Sequence, residues 1–482
     1  MILQHLVKDF DIREETYNQI NGLSINGITD VSNKIKEGYL FVAIKGLNVD
    51  GHNYIKEALD NGAIAVIGEH EMKNLKKPYI KVKNSRKALG IVSKNFYGDP
   101  SKQKIMIGIT GTNGKTTISY LLKYILEQIG FSCSLIGTIK NSINGVDVQT
   151  SHTTPSSLVI NELLSKSKDD VVIMEVSSHG LAQYRLEGIE FDYCIFTNLT
   201  HDHLDYHGSM ENYFATKTEL FKKMKDNGRA IINTDDFWGE KLEGILKREG
   251  LTVYSVGQSS QNNLKILQLN SSLHPSVKVK EKCENYEITF SMGGTHNLYN
   301  AVIAFATVNQ FHNKKDDILL AISNFTGVPG RFEIIKYKNG STVVIDYAHT
   351  ADAIFHCLIT AKKLGAKVTH VFGFRGNRDE KKREEMIKIS SELSDRYILT
   401  LDDLNAVTFE EMCATLKELN EEFGNAKGMI INDRTKAIKY ALENSSSNEW
   451  IVITGKGPEC YKQNFSIPTT SDRETVMYLN IK

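Results

Sequence analysis

The sequence predicts an α/β chain of three domains, on three observations. Its 482 residues exceed what one hydrophobic core serves, because single cores stop growing near about 250–300 residues. Short apolar runs alternate with amphipathic stretches along the chain, the pattern of strands and helices in turn. Two clusters of turn residues, Gly98-Asp99-Pro100-Ser101 and Gly327-Val328-Pro329-Gly330, interrupt that alternation. The domains are therefore drawn as residues 1–99, 100–330 and 331–482.

The first domain reads as a small α/β unit: a strand-like run over 39–44, an amphipathic stretch over 55–58 and a second apolar run over 63–67. The second opens with the apolar strand Ile105-Met106-Ile107-Gly108-Ile109 and a helical pattern over 116–129. It continues through short apolar runs at 171–174 and 193–196 whose ends pass directly into polar residues. Mainly parallel, open sheets have that pattern and bind ligands at the carboxyl ends of their strands. The third domain returns to β/α alternation at 342–345, 368–373, 397–400 and 450–454, and is expected to be Rossmann-like. The run Ser445-Ser446-Ser447 is expected to be a solvated loop.

Composition excludes several functions. Lysine plus arginine number 58, as do aspartate plus glutamate, for a formal net charge of +0. Without a basic field, neither nucleic acid nor an anionic membrane surface is the expected ligand, and a small molecule is. The opening MILQHLVKDF carries Lys8 and Asp9 where a secretory leader needs an apolar stretch. No run approaches the roughly 18 apolar residues of a membrane span, so membrane insertion is not expected. The cysteines, Cys133, Cys194, Cys283, Cys357, Cys413 and Cys460, form no C-x-x-C pair and suit a reducing cytoplasm.

After the strand ending at Ile109 comes Thr110-Gly111-Thr112-Asn113-Gly114-Lys115-Thr116-Thr117, leading into the helix. Strand, glycine loop and helix stand in the order that cradles phosphate. Gly111 and Gly114 let the backbone close on phosphate oxygens, the helix start offers free N–H groups, Lys115 adds charge, and the Thr116 hydroxyl can ligate Mg²⁺. The strict G-x-x-x-x-G-K-T pattern would place glycine at Ile109, whereas this chain has Gly108 one place earlier. ATP is the expected ligand of this loop.

GITGTNGKTT from Gly108 resembles the phosphate loop of the Mur ligase family, and four further stretches resemble that family's motifs in the same order. They are MEVSSHGL from Met174, TNLTHDHLDYHG from Thr197, HNLYNA from His296 and DYAHTADA from Asp346. With GYLFVAIKGLNVDGHNYI near the amino terminus, GVPGRFE at Gly327 and GNRDEKKR at Gly376, the resemblance covers essentially the whole chain. It is nearest to the members that add the third residue to the peptide of a cell-wall precursor. The resemblance implies an N-terminal domain for a UDP-linked substrate, a central ATP-binding ligase domain and a C-terminal domain for the amino acid. The implied enzyme is a cytoplasmic, ADP-forming, monomeric ligase of peptidoglycan synthesis. It would join a free diamino acid, meso-diaminopimelate or L-lysine, to UDP-N-acetylmuramoyl-L-alanyl-D-glutamate through an acyl phosphate.

That chemistry crowds charge, since γ-phosphate oxygens must approach a carboxylate, and hard cations with oxygen ligands relieve the crowding. Glu175, closing an apolar strand, is a suitable Mg²⁺ ligand. The resemblance adds His203, and Lys217 as a carbamate, which turns a repelling ammonium into an anionic oxygen ligand. It also implies that Thr112, Asn113, Thr117, Asn297, Asn300, Arg331 and Asp346 contact the nucleotide. Ser32, Thr153, Thr154, Ser177, Gln183 and Arg185 match contacts to the UDP-linked acceptor, and the planar fork of Arg185 suits a carboxylate. Around Ser32 the family's Asp-Ser-Arg is replaced by Val31-Ser32-Asn33.

Arg383, Gly455 and Glu459 match residues lining the amino-acid pocket. The Asp-Asn-Pro-Arg that grips the distal carboxylate in diaminopimelate-specific members is here Asp402-Asp403-Leu404-Asn405. Losing guanidinium at Asn405 and gaining charge at Asp403 suits a cationic tail such as that of lysine. Gly455-Lys456-Gly457-Pro458-Glu459 looks more like the diaminopimelate enzymes, so both substrates stay open. Two other readings stand beside this one: a duplicated Mur ligase serving a specialised pathway, and a nucleotide-binding relative without activity. Lys115, Glu175, His203 and Lys217 together argue against the second.

Overall fold

The structure is a computed structural model describing residues 1–46, 49–72, 75–272, 274–365, 367–377 and 379–481. Leu47, Asn48 and Arg378, which belong to two of the quoted motifs, lie outside the described residues. The chain divides into two compact units. One holds residues 1–108, 131–194 and 216–228; the other holds 109–130, 195–215 and 229–482.

The first unit begins with four parallel strands in the order β1-β2-β3-β4, namely Gly27–Thr29, Tyr39–Val42, Ala63–Gly68 and Tyr79–Lys81. Alternate residues serve opposite faces: Leu40, Val42, Ala65 and Ile67 enter one core, while Phe41, Ala43 and Val66 enter another. A parallel sheet covered on both faces gives these near-continuous apolar runs. The strand expected to reach Ile44 stops at Val42. Beyond it the chain turns back on itself, with Gly46 N–H donating to Val49 O and Gly51 N–H to Ile44 O.

The next eleven strands are β5 Ile105–Thr110, β6 Cys133–Ile136, β7 Lys140–Ile143, β8 Val146–Gln149, β9 Val171–Glu175, β10 Phe191–Phe196, β11 Met224–Asn233, β12 Val253–Gly257, β13 Leu264–Asn270, β14 Ser276–Glu281 and β15 Glu284–Thr289. Strands β5, β10 and β11 each start in the first unit and finish in the second. Within the first unit the order is β11-β10-β5-β9-β6-β7-β8, with β6 and β9 parallel. Within the second it is β15-β14-β13-β12-β11-β10-β5, parallel from β11 to β13 and then antiparallel.

The second unit also carries β16 Glu333–Lys336, β17 Thr342–Ile345, β18 Lys367–Phe374, β19 Arg396–Leu401, β20 Gly428–Ile430 and β21 Glu449–Ile453, in the order β16-β17-β21-β18-β19-β20. All neighbours are parallel except β16 with β17. Val344, Phe372, Leu399 and Val452 point into one core; Val343, Val371, Ile398 and Ile451 point into the other. The parallel strands β18, β19 and β21 therefore end on one edge, where residues 375–377, 379–383, 402–405 and 455–459 follow. Among the described residues no helix is long and apolar enough to cross a membrane.

Candidate functional site

In the second unit the phosphate loop follows β5 as expected. Gly111 and Gly114 take φ of 146° and 89°, a conformation that L side chains rarely adopt. At Gly114 a Cβ would also lie 2.5 Å from Asn300 Oδ1. The helix Lys115–Gln128 starts directly after the loop. Lys115 Nζ donates to Gly111 O and Thr112 O at 2.8 and 2.9 Å. The Thr112 hydroxyl donates to Thr200 O, and the Asn113 N–H to Asn198 Oδ1. Asn113 Nδ2 reaches Asp352 Oδ2 at 2.9 Å, tying the loop to the stretch that follows Asp346. Thr116 Oγ1 accepts from Arg331 at 3.2 Å, and Thr117 is buried. Asn300 donates to Asn297, which donates to Gly293 O, so both expected nucleotide residues brace the loop's flank. Asp346 accepts from the N–H groups of Phe332 and Ala348; burial raises its pKa against the pull of Arg331 and those donors.

His203, at φ 54°, precedes the short helix Leu204–His207. Beside it Asp202 collects Lys382 Nζ at 3.3 Å, His203 Nε2 at 3.4 Å and His349 Nε2 at 3.7 Å. Burial pushes the Asp202 carboxyl up, but His349, His203 and Lys382 outweigh it and hold it well below the ordinary range. Sequence reasoning missed Asp202 and Lys382, although both lie inside the quoted motifs.

In the first unit Glu175 ends β9 fully buried, and its carboxylate accepts from the Thr138 N–H at 3.1 Å and the Thr138 hydroxyl at 2.7 Å. Gly137 makes room, since a Cβ there would meet Glu175 Oε1 at 2.3 Å. The Thr138 and Thr153 hydroxyls lie 3.1 Å apart. The Thr154 hydroxyl donates to Glu175 O and bonds Ser177 Oγ, while Arg185 donates to Thr154 O at 2.7 Å and Gln183 Oε1 at 2.8 Å. One network thus gathers Glu175, Thr153, Thr154, Ser177, Gln183 and Arg185, and Thr138 is the member that sequence reasoning missed. Gln183 and Arg185 line a cleft of about 380 Å³ shared with Asp30, Arg86 and His152. Burial and then Arg185 lower the pKa of His152. Ser32 lies outside that lining, in the turn Ser32–Lys34, donating to Glu57 Oε1 at 3.1 Å. Lys217, in the helix Met210–Thr218, is 1% exposed, which is unusual for a lysine.

At the carboxyl edge of the last sheet, in the second unit, Arg383, Asp402, Asp403, Asn405, Gly455 and Glu459 come together around a residue the sequence reading passed over, Arg375. Its guanidinium donates to Glu459 Oε2 at 2.6 Å and Gly455 O at 2.9 Å, and its Nε is 3.7 Å from Asp402 Oδ1. Glu459 also accepts from the Tyr347 hydroxyl at 2.9 Å. Arg383 donates to Arg375 O and pairs with Glu380. Asp403 differs from expectation: its charge is met by buried Lys456 at 2.7 Å, and so does not stand unopposed against an incoming carboxylate. Burial raises the Asp402 carboxyl, but Arg375, Arg434 and Lys456 outweigh it and lower its pKa.

Comparison with known proteins gives three family matches: "Mur ligase family, catalytic domain" over residues 20–97, "Mur ligase middle domain" over 109–308 and "Mur ligase, glutamate ligase domain" over 330–457. The UDP-N-acetylmuramoyl-L-alanyl-D-glutamate–2,6-diaminopimelate ligase of Fusobacterium nucleatum is 38% identical over 90% of each chain. That of Aquifex aeolicus is 39% identical over 91% of this chain and 90% of its own. A solved structure of a ligase of the same name superposes with a TM-score of 0.71 at 26% identity, covering 100% of this chain and 99% of that one.

Proposed function

Since this chain belongs to the Mur ligase family, we propose that it joins a diamino acid to UDP-N-acetylmuramoyl-L-alanyl-D-glutamate at the expense of ATP. The observation that carries the reading is the identity of 38–39% over nine-tenths of the chain with ligases named for that acceptor and for 2,6-diaminopimelate. In this reading segments 1–99, 100–330 and 331–482 take the UDP-linked acceptor, ATP and the amino acid; the chain carries three successive family matches, over 20–97, 109–308 and 330–457. The enzyme would work in the cytoplasm as a monomer.

The chemistry follows from the residues. ATP transfers its γ-phosphoryl group to the acceptor's free carboxylate, giving an acyl phosphate and ADP. The amine of the incoming amino acid attacks that carbonyl, loses a proton and expels phosphate. The loop amides of Gly111 to Thr117 and the charge of Lys115 stabilise the transferring group. Arg185, held by Thr154 O and Gln183, presents a planar fork to the acceptor. Mg²⁺ fits the oxygen donors that each unit offers: in the first the Glu175 carboxylate, oriented by Thr138, would hold such an ion, and in the second the Thr116 hydroxyl would. His203 in the second unit, and Lys217 as a carbamate in the first, are the further proposed ligands. The ion would neutralise phosphate charge.

The test is coupling of meso-diaminopimelate and L-lysine, among a panel of amino acids, to the UDP-linked dipeptide with ATP and Mg²⁺. Equal amounts of ADP, phosphate and UDP-linked tripeptide are expected. Absence of tripeptide with every amino acid overturns the reading.

A further inference from the structure

The sequence loses an arginine at Asn405, and the fold supplies a guanidinium from elsewhere. Arg375 leaves the end of β18 with its side chain 15% exposed. Two contacts clasp its loop to the Asp402–Asn405 stretch: Gly376 N–H donates to Asp403 O at 2.9 Å, and Asn405 Nδ2 donates to Gly376 O at 2.8 Å. Gly376 is required there, because a Cβ would lie 2.0 Å from Leu404 O. Asn405 therefore acts as a brace for the loop that carries Arg375.

The guanidinium is placed beside an anion and keeps donors in reserve. Its Nη2 holds Glu459 and Gly455 O, its Nη1 reaches the Tyr347 hydroxyl only at 3.5 Å, and its Nε is buried without a hydrogen-bond partner. The covered Nε faces Asp402 Oδ1 at 3.7 Å, so Nη1 is the donor left for a ligand's oxygen. A carboxylate and a guanidinium side by side are complementary to a centre that bears an ammonium and a carboxylate on one carbon. The distal end of diaminopimelate is such a centre; the end of lysine has the ammonium alone.

We propose that Arg375, paired with Glu459, is the specificity-determining residue that receives the distal carboxylate of a zwitterionic diamino acid. This rests on the reading of residues 375–377, 379–383, 402–405 and 455–459 as the amino-acid pocket. Lysine is diaminopimelate without that carboxylate, so the ratio of kcat/KM for the two isolates the contact.

The experiment measures that ratio for the full-length protein, Arg375→Gln, Arg375→Lys and Glu459→Gln, with ATP and the UDP-linked dipeptide saturating. Where lysine turnover is too slow, its inhibition constant against diaminopimelate serves. Arg375→Gln is expected to lower the diaminopimelate-to-lysine ratio tenfold or more, and Arg375→Lys, which keeps the charge and guards against a folding failure, to lower it less. A ratio within threefold of the parent in both Arg375 variants overturns the inference. Glu459→Gln then says which step failed: a loss of kcat/KM there leaves the pocket reading standing without Arg375, and no change for either amino acid overturns the pocket reading as well.

Discussion

The phosphate loop and the loop cluster proposed as the amino-acid pocket lie in the same unit and were legible to different degrees. The loop is one run, Gly111 to Thr117, whose glycines, lysine and helix start are consecutive in sequence. The pocket is assembled from the ends of β18, β19 and β21, with Tyr347 from a fourth stretch. A contiguous motif carries its geometry in its spacing. A pocket built at a sheet edge carries it in strand order, which spacing does not reveal.

The largest expected effect sharpens the local side of that contrast. Lys115→Ala should lower kcat by about 10³ or more, at or beyond the upper end of what loss of one preorganised transition-state donor costs. Single-turnover formation of ADP measures it. A loss under tenfold would mean that the loop geometry is incidental to phosphoryl transfer.

Next comes a test of the assembled side. Lys456 is 1% exposed and stands 2.7 Å from Asp403 and 3.6 Å from Asp402. Lys456→Met should destabilise the protein by about 3–5 kcal/mol, because breaking a buried pair strands its partner's charge. Denaturant unfolding reads this directly. A cost below about 1 kcal/mol would show that the two carboxylates have other compensation and that the pocket floor is not set by this lysine.

The same contrast explains what the sequence disclosed. The strands at 105–109, 171–174 and 342–345 were readable because strands buried on both faces are apolar throughout. Glu175 was readable as the polar residue closing such a strand. Thr138, which orients Glu175, was not, because the pairing of β6 with β9 brings it there from 37 positions away. The partner of Asp403 was not legible for a related reason, since Lys456 is 53 positions distant.

A smaller effect comes from His370, which is buried between Ser390 Oγ at 2.8 Å and Thr454 Oγ1 at 2.9 Å, inside the sheet whose edge forms the pocket. Burial, and then Arg434, lower its pKa to about 3. The folded state therefore keeps it neutral, while the unfolded chain takes up a proton below about 6.5. Stability should fall as pH drops from 6.5 towards 3, by about 2 kcal/mol at pH 5 from this group. His370→Gln should lose that much less than the parent between pH 7 and pH 5 in denaturant titrations. Equal losses would place the acid sensitivity elsewhere.

The smallest expected effect bears on the comparison most directly. Restoring the family's arginine by Asn405→Arg would, on motif reading alone, restore grip on a distal carboxylate. The structure argues otherwise. Asn405 sits at φ 52°, where asparagine is tolerated and a long L side chain costs about 1–2 kcal/mol. Its amide also supplies the brace to Gly376 O, a hydrogen bond contributing about 1 kcal/mol. The substitution should thus lower stability by about 2 kcal/mol. Because Arg375 already carries the guanidinium, the diaminopimelate-to-lysine ratio of kcat/KM should stay within threefold of the parent. Both are measured on one preparation, by denaturant unfolding and by paired initial rates. A tenfold rise in the ratio without loss of stability would mean that position 405 reads the tail after all. The pocket's specificity would then be as local in sequence as the phosphate loop, and the contrast between the two regions would fall.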